Sequence, residues 1–282
     1  MDRRRFLTGA STCAAIGLPA LAQVGEAFRL GLTPVFLDND AVVIERLRSA
    51  FSEAMGEPVD LVQRRTYQEI TASILDGSVD AAWICGYPYL QYRDSLALLG
   101  VPVWRGQPLY QSYLIVGAED AATGLEDLRG DVHAFSDPDS NSGYLVTASD
   151  LARIGETPER FFSRSVYTYG HRNVVRAVAG SLTRSGSVDG YVWETLASVE
   201  PSLTARTRIV TRSEWLGFPP FAAHADRASD ADVQRFGAAL RGLDSSPAGR
   251  DALQLLFLDR IHEGDATLFD GIAARMADLS GR

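Results

Sequence analysis

The stretch Ser136-Asp137-Pro138-Asp139-Ser140-Asn141-Ser142-Gly143-Tyr144 gathers hydroxyls, an amide and a glycine where a ligand could be held. Before it, residues 131–135 read as a short buried strand. After it, Leu145, Ala148 and Leu151 or Ala152 recur at helical spacing, so the polar loop opens a helix. A helix start presents up to four unpaired N–H groups and the positive end of the helix dipole. Ser140, Asn141 and Ser142 add side-chain donors, and Gly143 leaves room for an anion near the backbone. The pattern predicts an oxyanion cradle without a fixed positive charge. Ordinary capping by Ser and Asn is the competing reading.

Other groups could complete such a site. Gly170-His171 opens a helix after a strand, and the imidazole can donate from one ring nitrogen, or from both when protonated. Glu194, read as the end of a strand over residues 188–193, could accept a hydrogen bond from an O–H group on a bound oxyanion. It would then favour a protonated oxyanion and repel a fully deprotonated one. In Cys85-Gly86-Tyr87-Pro88-Tyr89, read as a loop after a strand, the tyrosines could wall the site or simply pack. Cys85 reads equally as a buried packing residue or as a thiolate ligand for a soft trivalent oxyanion such as arsenite. With His171 and a carboxylate it could also form the nucleophile set of a hydrolase. The chain shows no nucleophile elbow, metal-ligand cluster or phosphate-binding lysine, so a binding protein without cofactor or metal is the reading preferred over an enzyme.

Residues 1–22 read as an export signal. Arg3-Arg4-Arg5-Phe6-Leu7 fits the twin-arginine pattern, a weakly apolar run follows, and Ala20-Leu21-Ala22 offers a cleavage site. The run is too short to span a bilayer. A periplasmic location after export in a folded state follows as the expectation. The formal charge of the whole chain is -9, and loss of the arginine-rich leader makes the remainder more acidic. That excludes nucleic acid and anionic membranes as favoured partners. All 27 basic residues are arginine. Cys85 is the one cysteine left after cleavage, so no internal disulfide can form.

Strands are expected at residues 28–32, 59–62 and 79–84. Between them lie a helix capped by Asp40, bearing Ile44, Leu47, Phe51 and Met55, and a helix opened by the capping box of Thr66 and Glu69. Alternation of strands and helices predicts parallel pairing. Arg208-Ile209-Val210 reads as a return to the first lobe, and Val233, Phe236, Leu240 and Leu243 mark a late helix. Gly77-Ser78-Val79-Asp80 and Gly186-Ser187-Val188-Asp189 repeat one tetrapeptide, each read as ending a helix and opening a strand. If the two copies are equivalent, Cys85 and Glu194 face each other across a cleft. Both repeat aspartates read as strand-start or turn residues.

The order of these blocks resembles the type II periplasmic binding proteins of phosphonate, phosphite and phosphate uptake. The matching pieces are the Gly/Pro/Tyr loop after Cys85, Asp-Pro-x-Ser-x-Ser-Gly-Tyr at 137–144, the Gly170-His171 helix start, and Val188-Asp189 followed by Glu194. The resemblance implies an α/β fold of two lobes, each a mixed, mostly parallel sheet flanked by helices, with the ligand in the interlobe cleft. Lobe 1 is assigned to residues 23–112 plus 216–282 and lobe 2 to 113–215. The resemblance also implies ligand contacts from Ser140, Asn141, Ser142, His171, Glu194 and Tyr89. The expected protein is a monomer that delivers a small phosphorus oxyanion to a membrane ABC permease. Asn141 stands where family members often carry Thr, and Cys85-Gly86 where many carry Gly-Pro. Relatives with a cysteine in this region resemble arsenite sensors that act with a membrane histidine kinase, which makes such a sensor the alternative.

Overall fold

The computed structural model describes residues 27–33 and 41–280. The leader and Asp40 lie outside the described residues.

Two sheets organise the chain. The first has six strands in the order Arg260–His262, Leu96–Val103, Phe221–His224, Ala81–Trp83, Phe28–Leu32 and Val59–Gln63. Phe28–Leu32 pairs in parallel with Val59–Gln63 and Ala81–Trp83. The late strand Phe221–His224 enters antiparallel between Ala81–Trp83 and Leu96–Val103. The second sheet runs Thr207–Arg212, Ser112–Gly117, Ser185–Asp189, Val132–Phe135 and Arg164–Tyr167. Its parallel part is Val132–Phe135 with its two neighbours. Both sheets are thus mixed, with the antiparallel strands supplied where the chain passes from one sheet to the other and back.

Thr207–Arg212 stays in the second sheet, antiparallel to Ser112–Gly117. The return to the first sheet occurs later, beside the short ladder of Leu109–Tyr110 with Leu216–Gly217. Burial explains the order: Phe218 and Phe221 are sealed from solvent, whereas Arg208 and Arg212 are not.

The helix Ala41–Met55 buries Leu47, Phe51 and Met55, and Phe51 meets Phe221 and Phe236 in the core of the first sheet. It ends at Gly56, whose φ of +71° suits glycine. In Tyr67–Leu75 the Thr66 hydroxyl accepts from the Glu69 amide at 3.1 Å, while the Glu69 carboxylate accepts from the Arg65 amide at 2.9 Å. The capping box therefore closes one residue earlier than its simplest form.

Two local expectations fail, and both failures bear on the site. Residues 86–91 form a short helix, Gly86–Gln91, with Cys85 at its N-cap instead of a loop. The strand expected over residues 188–193 ends at Asp189, and Gly190–Val199 is a helix. The β-branched Val188 and Val192 suggest a continuous strand. However, the Asp189 carboxylate accepts the Val192 amide at 3.2 Å and starts the helix, and Val192, Thr195 and Leu196 form its buried face. Glu194 consequently sits in mid-helix. The repeated tetrapeptides are not equivalent: Gly77 ends a helix with φ +76°, whereas Gly186 to Asp189 lie inside a strand.

Candidate functional site

Ser140 opens a single π turn, Asn141–Leu145, that runs into the helix Val146–Arg153. Its hydroxyl accepts the Gly143 amide at 3.0 Å. The Ser136 amide donates to the Gly143 carbonyl at 3.2 Å, and the Ser112 hydroxyl donates to the Ser142 carbonyl at 2.6 Å. A Cβ on Gly143 would lie 1.8 Å from Ser136 Oγ, so packing admits only glycine. Ser140, Asn141 and Ser142 are buried.

The turn faces the first lobe directly. The Asn141 amide donates to Cys85 Sγ at 3.2 Å, and Asn141 Nδ2 donates to the Tyr110 hydroxyl at 2.8 Å. Asn141 Oδ1 is buried with no hydrogen-bond partner, as is Ser136 Oγ. These are acceptors that a ligand carrying O–H groups could satisfy.

His171 starts the helix His171–Ala179 and is 1 % exposed. Its Nδ1 lies 3.1 Å from the Asp189 amide, and its Nε2 lies 3.1 Å from the Tyr67 hydroxyl. A backbone amide can only donate, so Nδ1 is the acceptor and Nε2 carries the hydrogen. Nε2–H then donates to Tyr67 Oη, which leaves the Tyr67 hydrogen free to reach an anion. Burial holds the imidazole neutral by pushing its pKa down to about 3. The same burial keeps the Tyr67 and Tyr110 hydroxyls protonated.

Asp189 is 2 % exposed, and burial raises its carboxyl to about 7 against the amide bonds from Val192 and Tyr191 that lower it. Burial likewise pushes the Cys85 thiol up to about 12, with Asp189 and Asp137 adding repulsion. The interior is therefore a set of neutral donors beside two buried carboxyls: Asp189, poised near neutrality, and Asp137, which accepts the Tyr67 amide at 3.2 Å and is also raised by burial.

The structure brings Ser140, Asn141, Ser142, His171 and Cys85 to one place. It does not bring Glu194 there: that carboxylate is 3.2 Å from Arg105 Nη2 and accepts from the Tyr113 hydroxyl at 3.1 Å. Its displacement follows from the helix that Asp189 caps. Tyr89 packs on Phe269, ring centroids 5.0 Å apart, and Tyr87 is half-buried with Asp139 and Tyr144 as neighbours. Sequence reasoning missed Tyr67, Tyr110 and the importance of Asp189. Tyr67 follows the recognised capping residue Thr66, but nothing local showed that this helix start meets His171.

These buried groups predict a pH dependence of stability. His171 and His133, both lowered to about 3, contribute stability that is full above the ordinary histidine range and lost as pH falls below about 6.5. Asp189 acts oppositely, since its raised pKa favours the folded state as pH falls from about 7 towards about 4. Acidification should lower the urea midpoint, and Asp189→Asn should steepen that fall by removing the opposing contribution. An unaltered slope in the variant would refute the assignment.

Two sheets joined by short crossings, with a buried polar site between them, define a two-lobe type II periplasmic binding protein. The fold matches a binding protein component of an ABC phosphonate transporter from Pseudomonas aeruginosa, with TM-score 0.81, 19% identity, and coverage of 89% of this chain and 85% of that one. It also matches PhnD1 of Prochlorococcus marinus in complex with methylphosphonate, with TM-score 0.78, 14% identity, and coverage of 90% and 98%. In sequence the chain is similar to the phosphate-import protein PhnD of Mycolicibacterium smegmatis, 26% identical over 182 residues. That match covers 60% of this chain and spans 57% of the relative's length. The profile of the family described as ABC transporter, phosphonate, periplasmic substrate-binding protein matches residues 30–269, and the chain belongs to that family.

Proposed function

We propose that this protein captures a small phosphorus oxyanion, whether phosphate, phosphite or a phosphonate, between its lobes and delivers it to a membrane ABC permease. The observation that carries this reading is the buried meeting of the Ser140–Ser142 turn, through Ser112, the strand partner of Asp189, with Asp189, His171 and Tyr67. Tyr67 supplies a free hydroxyl hydrogen, the turn supplies hydroxyls, and Asp189 supplies the acceptor for a P–OH group. The acceptor role first read for Glu194 thus passes to Asp189. The lobes are taken as residues 23–112 plus 216–282 and 113–215. Residues 1–22 are taken as a twin-arginine leader to the periplasm, and the mature protein as a monomer. A hydrolase reading is disfavoured because Cys85 Sγ accepts the Asn141 amide while both His171 nitrogens are engaged elsewhere.

A thermal-shift panel of phosphate, phosphite, methylphosphonate, aminoethylphosphonate, arsenite, sulfate and taurine tests the proposal. A binder at a hundred times its Kd adds about 2.7 kcal/mol of stability. No shift with any phosphorus compound would defeat it.

One observation favours a second reading. Cys85 Sγ touches the anion turn itself and burial keeps it a neutral thiol, to which a neutral arsenic hydroxide would be suited. The protein would then be an arsenite sensor acting with a membrane histidine kinase. Arsenite is expected to stabilise the wild type and not Cys85→Ser; equal responses would remove this reading.

A further inference from the structure

The C-terminal helix Asp270–Ser280 lies behind the anion turn and packs on both walls of the cleft. Its apolar side belongs to the first lobe. Ile272 and Phe269 are fully buried, a Cβ on Gly86 would lie 2.7 Å from Ile272 Cδ1, and Phe269 packs on Tyr89. Gly86 directly follows Cys85, so this contact backs one wall of the site.

Its polar side reaches the other wall. Arg275 is 4 % exposed and holds both carboxylate oxygens of Glu214, at 2.9 and 2.5 Å, beside the crossing between the sheets. Arg275 Nη1 donates to the Val146 carbonyl at 3.2 Å, to Ser149 Oγ at 3.4 Å and to the Asp150 carboxylate. Asp278 accepts from Ser149 Oγ at 2.6 Å and from Arg153 Nε at 2.9 Å. Apart from Glu214, every one of these partners lies on Val146–Arg153, the helix that continues the anion turn.

The two sides differ in how readily they part. Withdrawing Ile272 and Phe269 would expose apolar surface to water. The carboxylates gripped on the polar side are each partly exposed while Arg275 is buried among them, so these pairs hold the closed form together yet can be rehydrated when the cleft opens.

We propose that this helix is a closure strap, anchored to the first lobe by Phe269 and Ile272, and that Arg275 and Asp278 are positioning residues engaging the second lobe when the cleft is shut. Opening breaks the polar contacts and leaves the apolar ones intact. The strap supplies part of the free energy of closure by itself, so the ligand-free protein already populates the closed form. Solute release must undo the strap, whichever solute is bound.

The test compares ligand-free wild type with Asp278→Asn, Arg275→Gln and Arg275→Lys by small-angle scattering. Wild type is expected to be compact at low salt and to expand at high salt as the ion pairs are screened. Asp278→Asn and Arg275→Gln should be expanded at low salt already. Arg275→Lys should be intermediate, because an ammonium keeps the charge and loses the fork. Dissociation of methylphosphonate should accelerate on the order of tenfold in the first two variants with association unchanged. A lower melting temperature with an unaltered radius of gyration would show a purely structural role and overturn the proposal. If Arg275→Gln does not fold, Asp278→Asn decides alone. The scattering arm uses no ligand, so a wild type that ignores methylphosphonate defeats the phosphorus-oxyanion reading without touching this one.

Discussion

Tyr67→Phe is expected to weaken binding of methylphosphonate by about 10- to 100-fold, since a hydrogen bond to a charged partner contributes about 1.5–3 kcal/mol. Nδ1 of His171 is committed to the Asp189 amide, so Nε2–H is committed to Tyr67 Oη. The tyrosine hydrogen is therefore the one left for an anion. Phe fills the same buried space but leaves His171 Nε2–H without its acceptor, so folding should lose about 1–3 kcal/mol. Calorimetry that finds equal affinity in the variant would show that Tyr67 does not touch the solute.

Asp189→Asn should change how affinity responds to pH. If Asp189 faces the solute as proposed, its carboxyl, raised to about 7, shares one proton with the bound oxyanion. Above that pH both partners are ionised when apart, and binding must take up a proton. Linkage then weakens affinity by about tenfold per pH unit. The substituted side chain could still cap Gly190–Val199 through its amide oxygen, but it carries no charge to repel a dianion. The variant should bind with a much flatter profile above neutrality. Parallel profiles for the two proteins would remove Asp189 from the site.

Both predictions rest on contacts between segments distant in the chain, and this separates the legible from the illegible. The polar turn at residues 136–144 was readable because its donors, its glycine and its following helix are all local. So were Thr66 with Glu69 as a capping box, and Gly170-His171 as a helix start. The end of the strand at Asp189 was not readable. Val188 and Val192 favour extended backbone, and only the carboxylate reaching the Val192 amide turns the chain into a helix. That single event moved Glu194 to Arg105 and left Asp189 beside His171.

Tyr67, Tyr110 and Arg275 illustrate the other limit. Each belongs to an element that is ordinary in isolation, and each matters through a partner 104, 31 or 125 residues away. Residue order alone determined an acidic α/β chain with a hydroxyl-rich turn opening a helix, because helix starts, caps and periodic burial are properties of neighbouring residues. Only the tertiary structure decided which carboxyl faces that turn, which tautomer the imidazole adopts and which helix spans both walls. Those depend on desolvation and on donors and acceptors meeting across the lobes, where no local pattern records them.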